Sequence, residues 1–596
     1  MHTFQIKSHF LLDNHPFKIY SGAIHYFRIH PIDWRHSLQN LKNLGFNTVE
    51  TYIPWNLHEP KKGKFDFSGG LDLEKFIETA AEAGLYVILR PSPFICAEWE
   101  WGGLPAWLLN EPGKPRSRDP RFLAHVQNYY DELFKRIVPH QLDHGGNILM
   151  FQVENEYGSF AQDKEYLRAI AKMMRKGGLT MPFFTSDGPW KACLRAGSLI
   201  EDDILPTGNF GSRANMNFDA MEEFFHEHGK EYPLMCMEFW DGWFNRYNEP
   251  IHKRDANELA NAVCETMKRG SINLYMFHGG TNFGFMNGCS ARDQHDLPQI
   301  TSYDYGALLD EQGNPTDKYY AVQKMIQKEF PDLKTQEPLI KESMAIENIP
   351  QTDRVSLFET LDTLANPIES LDPLTMEEAG QNVGYILYRT ELAKDADELK
   401  LRIIDGRDRA QLYLDGRLEA TQYQEEIGDP IFVHPKQEVS QLDVLVENMG
   451  RVNYGSKFRA DTQRKGLRQG VMSDLHFIQN WKQYPLPLDN IEKIDFSRKW
   501  KAGQPGFYRY QFDVLTPKDT FIDTRKMGKG AAWVNGFHIG RFWQTSPMGT
   551  LYIPHGLLKE GKNEIIILDT EQEAPAAINL VAHPIEVEME NKIHGD

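Results

Sequence analysis

NILMFQVENEYGSFAQDKEYLRAIAKMMRKGG, residues 147–178, decides the fold. It opens on an unbroken apolar run, crosses a polar turn, and continues into a stretch whose apolar residues recur at three- and four-residue spacing before a pair of glycines. Such a run is a strand buried on both faces, the periodic stretch is an amphipathic helix, and the glycines suit its C-terminal cap. Strand, turn and helix together make one βα unit of a parallel sheet.

The same unit recurs on both sides of that stretch. The strand candidates are FKIYSG (17–22), NTVETYI (47–53), LYVILRP (85–91), NILMFQV (147–153), PFFTSD (182–187), ILPTGNF (204–210), PLMCMEF (233–239) and INLYMFH (272–278). Helical patterns such as WRHSLQNLKNLG (34–45), LDLEKFIETAAEAG (71–84) and ELANAVCETMKRG (258–270) fall between them. Eight such units predict an α/β fold, a (β/α)8 TIM-type barrel over residues 1–330. After Pro331 the pattern changes to short strand-like runs between clusters of Asn, Asp, Gly and Pro, which predicts two all-β domains of jelly-roll or β-sandwich type. GYILYRTEL (384–392), AQLYLDG (410–416) and LDVLVENMG (442–450) repeat in plan as GFYRYQFDV (506–514), AAWVNG (531–536) and NEIIILDTE (563–571). Each set is an entry strand, a strand ending in a (D/N)G turn, and a long apolar strand. The expected division is a connector at 331–380, one β-sandwich at 381–485 and a second at 486–596.

Composition limits what such a chain can do. Among 596 residues, 65 basic against 84 acidic side chains leave a net charge of −19, which repels nucleic acid and anionic lipid. No apolar run approaches the roughly 18 residues that span a bilayer. The opening MHTFQIKSHFLLDNHPFKIY lacks a basic segment followed by an apolar one, so a cytoplasmic location is expected. Five scattered cysteines without CxxC spacing read as reduced thiols.

In a parallel barrel the active site lies at the C-terminal ends of the strands. Glu156 follows the fourth strand in VENEYG, and Glu238 ends the seventh in MCMEFWDGW. Taken singly, an acid is most often solvated or ion-paired. Strands four and seven, however, lie across the barrel from each other, and two carboxyls facing one ligand with different proton affinities are what a glycosidase needs. Asn155 stands ready to hold a sugar hydroxyl, and Trp240 and Trp243 offer flat apolar faces to the leaving sugar.

SGAIHYFRI, NTVETYIPWNLHEP, RPSPFICAEWEWGGLPAWL, QVENEYGS, the Glu238 segment, FHGGTNFG and TSYDYGALLDEQG occur in order, followed by ENMGRVNYG and GRFW. With these segments the chain resembles glycoside hydrolase family 35, the β-galactosidases of the clan-A barrel type, and in particular its short bacterial members. The resemblance implies Glu156 as general acid/base, Glu238 as nucleophile, and a retaining mechanism with the two carboxyls about 5–5.5 Å apart. It further implies a galactose subsite of Tyr52, Cys96, Ala97, Glu98, Asn155 and Tyr305, no metal or organic cofactor, and a galactose-binding-like second β-domain. The expected partner is a small oligosaccharide with a terminal β-galactose, with a lean toward β-1,3 linkage; a homodimer is left open. Tyr454, in ENMGRVNYG, reaches the rim only if its domain folds back over the mouth. Many relatives read SYDYDAP where this chain has SYDYGAL, so Gly306 and Leu308 depart from the pattern. Glu154, two positions from Glu156 along an extended strand end, is expected to share its face as polar support. A carbohydrate-binding protein without turnover and a retaining glycosidase for another sugar are the competing readings. FHEHGKE (225–231) lacks HExxH spacing, HGGTNFG (278–284) lacks a nucleotide-binding pattern, and the basic run TRKMGKGAAW (524–533) reads as a solvated strand edge.

Overall fold

The structure, a computed structural model, describes residues 2–590 apart from Ser92 and Gln294. Eight strands close into a parallel barrel: β1 (Tyr20–Ile24), β2 (Thr48–Tyr52), β3 (Tyr86–Arg90), β4 (Ile148–Gln152), β5 (Phe183–Asp187), β6 (Leu205–Asn209), β7 (Met235–Trp240) and β8 (Ser271–His278). Each pairs with its successor and β8 pairs back with β1. The helices between and after them are α1 (Trp34–Asn43), α2 (Leu73–Glu82), α3 (Pro120–Ile137), α4 (Lys164–Lys176), α5 (Lys191–Gly197), α6 (Ala214–Glu227), α7 (Ala256–Arg269) and α8 (Asp317–Glu329). Their apolar faces and the strands' outward side chains form one continuous core. Asp72, Asp119 and Asp255 cap α2, α3 and α7 by accepting from first-turn amides. Among the described residues no helix is long and apolar enough to cross a membrane.

The first strand starts later than its sequence suggests. Asp13 and Asn14, at φ 51° and 64°, turn the chain so that His15–Phe17 pairs with Phe10–Leu12 in a small antiparallel sheet, and the barrel strand begins at Tyr20. The apolar run joins Phe17, the half-buried end of the first element, to the fully buried start of the second.

Downstream, the repeated plan becomes a repeated topology. Tyr385–Ala393, Val439–Glu447, Arg409–Leu414 and Arg417–Tyr423 lie side by side in that order, as do Gly506–Val514, Gly561–Asp569, Lys529–Val534 and Phe537–Trp543. Asp415-Gly416 (φ 50° and 78°) and Asn535-Gly536 (φ 48° and 87°) make the matching hairpin turns, where two successive left-handed residues suit the twist of the strands. Alternate side chains of each sheet serve different cores. Ile386, Tyr388, Leu412 and Val444 fill the first module and Tyr508, Tyr510, Ile565 and Ile567 the second. Leu387, Tyr413 and Leu445 meet Phe507, Trp533 and Ile566 between the modules. Where both faces of a sheet are covered the strands lose alternation, as at residues 565–568, whereas the outer half of Gly506–Val514 keeps it.

Two expectations change here. The stretch 331–380, expected as a connector, contains the strand Ile346–Ser356, which pairs with Gly506–Val514 on one side and Ala577–Val581 on the other. The second module therefore begins before the first and resumes after it. Lys529, expected on a solvated edge, is buried with Nζ 2.6 Å from both carboxylate oxygens of Glu447. Its strand is interior, and the ammonium neutralises an acid at the junction of the two modules.

Candidate active site

The β2, β3 and β7 side of the barrel mouth is organised around Arg90. The last residue of β3, Arg90 is fully buried and faces Tyr52 in the strand register. Its Nη2 lies 2.7 Å from Glu238 Oε1 and 2.9 Å from Asn155 Oδ1, its Nε donates to Gln152, and its Nη1 is 3.8 Å from Glu50 one layer deeper. Tyr52 Oη donates to Glu238 Oε1 at 2.6 Å and lies 2.9 Å from Asn155 Oδ1, while Trp240 Nε1 donates to Glu238 Oε2 at 3.2 Å. One cation, one phenol and one indole thus converge on a single carboxylate. Burial pushes the Glu50 carboxyl up to about 7, against the pull of Arg90. The guanidinium is therefore free to serve Glu238 first.

The opposite wall has a different character. Asn209, at the end of β6, is the register partner of Glu238, and its Nδ2 donates to Glu156 Oε1 at 3.0 Å. Ser186 Oγ donates to Asn209 Oδ1 at 2.6 Å, which leaves the amide nitrogen for Glu156. Burial and the negative charge of Glu238 push Glu156 up to about 7, with the Asn209 hydrogen bond opposing them. The two acids are thus connected through Asn209, the strand partner of Glu238 and the donor to Glu156, and have unlike surroundings.

The loop after β3 supplies the next group. Cys96, Ala97 and Glu98 are three successive residues in the left-handed region, at φ 57°, 51° and 47°. Side chains resist that conformation, and such strain is found where surrounding contacts over-determine a site. Arg28 Nη2 donates to Ala97 O at 2.5 Å, Tyr303 Oη donates to Glu98 Oε2 at 2.5 Å, and Asn453 Nδ2 reaches Cys96 Sγ at 3.4 Å. Burial raises Glu98 to about 7, with the Tyr303 hydroxyl and Arg28 holding it down. Burial lifts the Cys96 thiol well above its usual range, so it stands as a neutral wall group.

Tyr305 is buried at φ 65°, its ring 5.4 Å from Tyr303 and 5.5 Å from Tyr275. Trp243 stacks on Phe244 and meets Trp240 edge-on at 5.7 Å. Trp240, Trp243 and Asn209 line the inner end of a groove of about 620 Å³. Tyr454 belongs to the first β-module, which does fold back: Val452 bridges Cys289, Trp101 N donates to Arg451 O at 3.4 Å, and Phe458 joins the barrel core. Arg451 itself is buried between Glu100 of the barrel and Glu377 of the module. Tyr454 is 46% exposed at the rim, close enough to feel the charge of Glu156.

Glu154 does not share the face of Glu156. The strand ends at Gln152, and both acids lie in the left-handed region at φ 57° and 44°, so the extended-chain alternation no longer holds. Glu154 turns inward to a two-point ion pair with Arg116, at 3.1 and 2.9 Å. Gly306, at φ 60°, takes a turn that favours glycine, and its carbonyl accepts from Lys318 at 2.5 Å; Leu308 is buried. The sequence reading did not single out Arg90, Glu50, Asn209, Tyr275 or Arg28, and it left the role of Tyr303 beside Tyr305 open. A signal existed for two of them: Arg90 and Glu50 are charged residues inside otherwise apolar strands, and such groups persist when paired.

With this geometry, the relatives are informative. The sequence model for glycosyl hydrolases family 35 matches residues 9–329, the model for a beta-galactosidase first all-beta domain matches 373–487, and that for a beta-galactosidase galactose-binding domain matches 505–563. A Beta-galactosidase of Xanthomonas manihotis is 40% identical over 559 residues, covering 91% of this chain and 90% of its own. Human Beta-galactosidase-1-like protein 2 is 38% identical, covering 95% and 89%, and the mouse Beta-galactosidase is 37% identical, covering 95% and 91%. Family match, full-length relatives and a closed barrel with all-β modules agree: the chain is a glycoside hydrolase and belongs to glycosyl hydrolases family 35.

Proposed function

We propose that this chain is a retaining exo-β-galactosidase that releases terminal non-reducing β-galactose from small oligosaccharides. The observation that carries the reading is the unlike pair at the mouth: Glu238 among Arg90, Tyr52 and Trp240, and Glu156 raised to about 7 with one amide donor. Glu238 Oε attacks the anomeric carbon while Glu156 gives its proton to the departing glycosidic oxygen, and a galactosyl ester forms on Glu238. Ester formation removes the negative charge that helps hold Glu156 up, so its proton affinity falls at the moment it must act as a base. Glu156 then takes a proton from water, the hydroxyl attacks the anomeric carbon, and galactose leaves with its β configuration retained. Asn155, Tyr52, Glu98 and Tyr305 hold the sugar, and Glu98 accepts from its hydroxyls. The lean toward β-1,3-linked galactose rests on the family resemblance.

Trapping with a slow fluorinated galactoside followed by peptide mass spectrometry tests the assignment: a galactosyl label on Glu238 is expected, and a label on another residue overturns it. A panel of nitrophenyl glycosides separates the alternatives. Turnover of a different sugar reassigns specificity, whereas galactose binding without cleavage of any glycoside makes the protein a silent binder.

A further inference from the structure

The groove that starts at Trp240 and Asn209 does not end there. It extends past Trp243 to Trp190 and Arg213, on the loops after β5 and β6, and to Met216 in the first turn of α6, and its volume of about 620 Å³ lies in the range that accepts ligands of several rings. Among the described residues, Trp190 is the one tryptophan that is mostly exposed, at 62%, and Met216 beside the same groove is 56% exposed. The indole lies against the backbone of Gly188: a Cβ built there would come within 1.9 Å of the ring. Glycine at 188 therefore leaves room for the ring beside the backbone, with most of the indole exposed to solvent. An isolated exposed aromatic needs no explanation, but one lining the same groove as Trp240, which donates to Glu238, and Asn209, which donates to Glu156, does.

The charged groups of the groove differ in availability. Lys253 pairs with Glu586 at 2.7 Å, and Arg254 pairs with Glu258 at 2.7 Å while donating to Trp240 O. Arg213 is exposed and, among the described residues, its guanidinium has neither hydrogen bond nor ion pair. An exposed apolar ring and an unengaged planar donor lining one groove are the elements that hold a pyranose, whose ring carbons stack and whose hydroxyls accept.

We propose that this outer groove is a second leaving-group subsite: the sugar next to galactose sits against Trp240 and Trp243, and the following sugar stacks on Trp190 within reach of Arg213. The preferred substrates are then oligosaccharides of at least three residues. This rests on the β-galactosidase reading, so the experiment keeps the two apart.

Steady-state kinetics would be measured for the wild type, Trp190→Ala and Trp190→Phe. The substrates are nitrophenyl β-galactoside, a galactosyl disaccharide that is cleaved, and the trisaccharide that extends it by one sugar at the reducing end. The wild type is expected to favour the trisaccharide about five- to tenfold in kcat/KM, the worth of one aromatic stacking contact. Trp190→Ala should abolish that preference through KM with kcat kept, Trp190→Phe should retain part of it, and both should match the wild type on the two shorter substrates. Equal use of the di- and trisaccharide by the wild type, or an undiminished preference in Trp190→Ala, overturns the subsite. Absence of turnover on nitrophenyl galactoside by the wild type instead overturns the activity on which it rests.

Discussion

The two acids at the barrel mouth are reached from opposite walls, and the walls are built differently. On the side of β2, β3 and β7, a fully buried guanidinium touches Glu238, Asn155 and Gln152 together, and Tyr52 and Trp240 add two more donors to the same carboxylate. On the side of β4 and β6, Glu156 has one amide donor from Asn209 and, among the described residues, no ion pair. The nearby cation Arg116 is spent on Glu154. A proton is thus placed as much by withholding a cation from one acid as by supplying one to the other.

Glu238→Gln breaks the contrast most severely. On the proposed mechanism it removes the attacking oxygen, and kcat/KM for nitrophenyl β-galactoside should fall roughly 10⁴-fold or more. The same variant sharpens the comparison: without the negative charge of residue 238, Glu156 should titrate below its present value of about 7, readable by NMR of labelled glutamate. A value that stays or rises contradicts the coupling. Glu156→Gln should cost about 10²–10⁴-fold on oligosaccharides yet spare the first step for dinitrophenyl galactoside, so that galactosyl-enzyme accumulates and added azide restores turnover. Arg90→Lys keeps the charge but loses the fork that joins three partners, and a fall of about 10²-fold in kcat with an intact fold by circular dichroism is expected. Asn209→Ala is the mildest, at about tenfold or less. Its signature lies in pH: the lost hydrogen bond favoured the Glu156 anion, so the carboxyl keeps its proton further into the alkaline range. The alkaline limb of kcat/KM should accordingly move to higher pH, and a move to lower pH would falsify the role given to the amide.

Much of this was legible from the chain alone. The barrel strands are apolar because they are buried on both faces, and the helices announce themselves by period and cap, so all eight units stand out. Ile346–Ser356 does not, because half of its residues face solvent and its place in a sheet is defined by partners more than 150 positions later. At the site, residues at or just past strand ends could be read from position: Glu156, Glu238, Asn155 and Trp240. Asn209 ends β6 with nothing in its neighbourhood to mark it, and its importance lies in a contact across to β4. Glu154 misled because a two-residue alternation presumes extended backbone, and the chain there enters the left-handed region. Arg116 and Arg451 lie in loops whose partners only folding brings near.

The strand Ile346–Ser356 has a consequence for biosynthesis. Its sheet neighbours, Gly506–Val514 and Ala577–Val581, leave the ribosome long after it does, so the outer module cannot close until nearly the whole chain has been made. The inner module, complete in itself between those segments, can fold on the way. Translation pausing or truncation in the final ninety or so residues should therefore leave an orphaned edge strand beside finished neighbours, a template for pairing with another nascent chain rather than a smaller working enzyme.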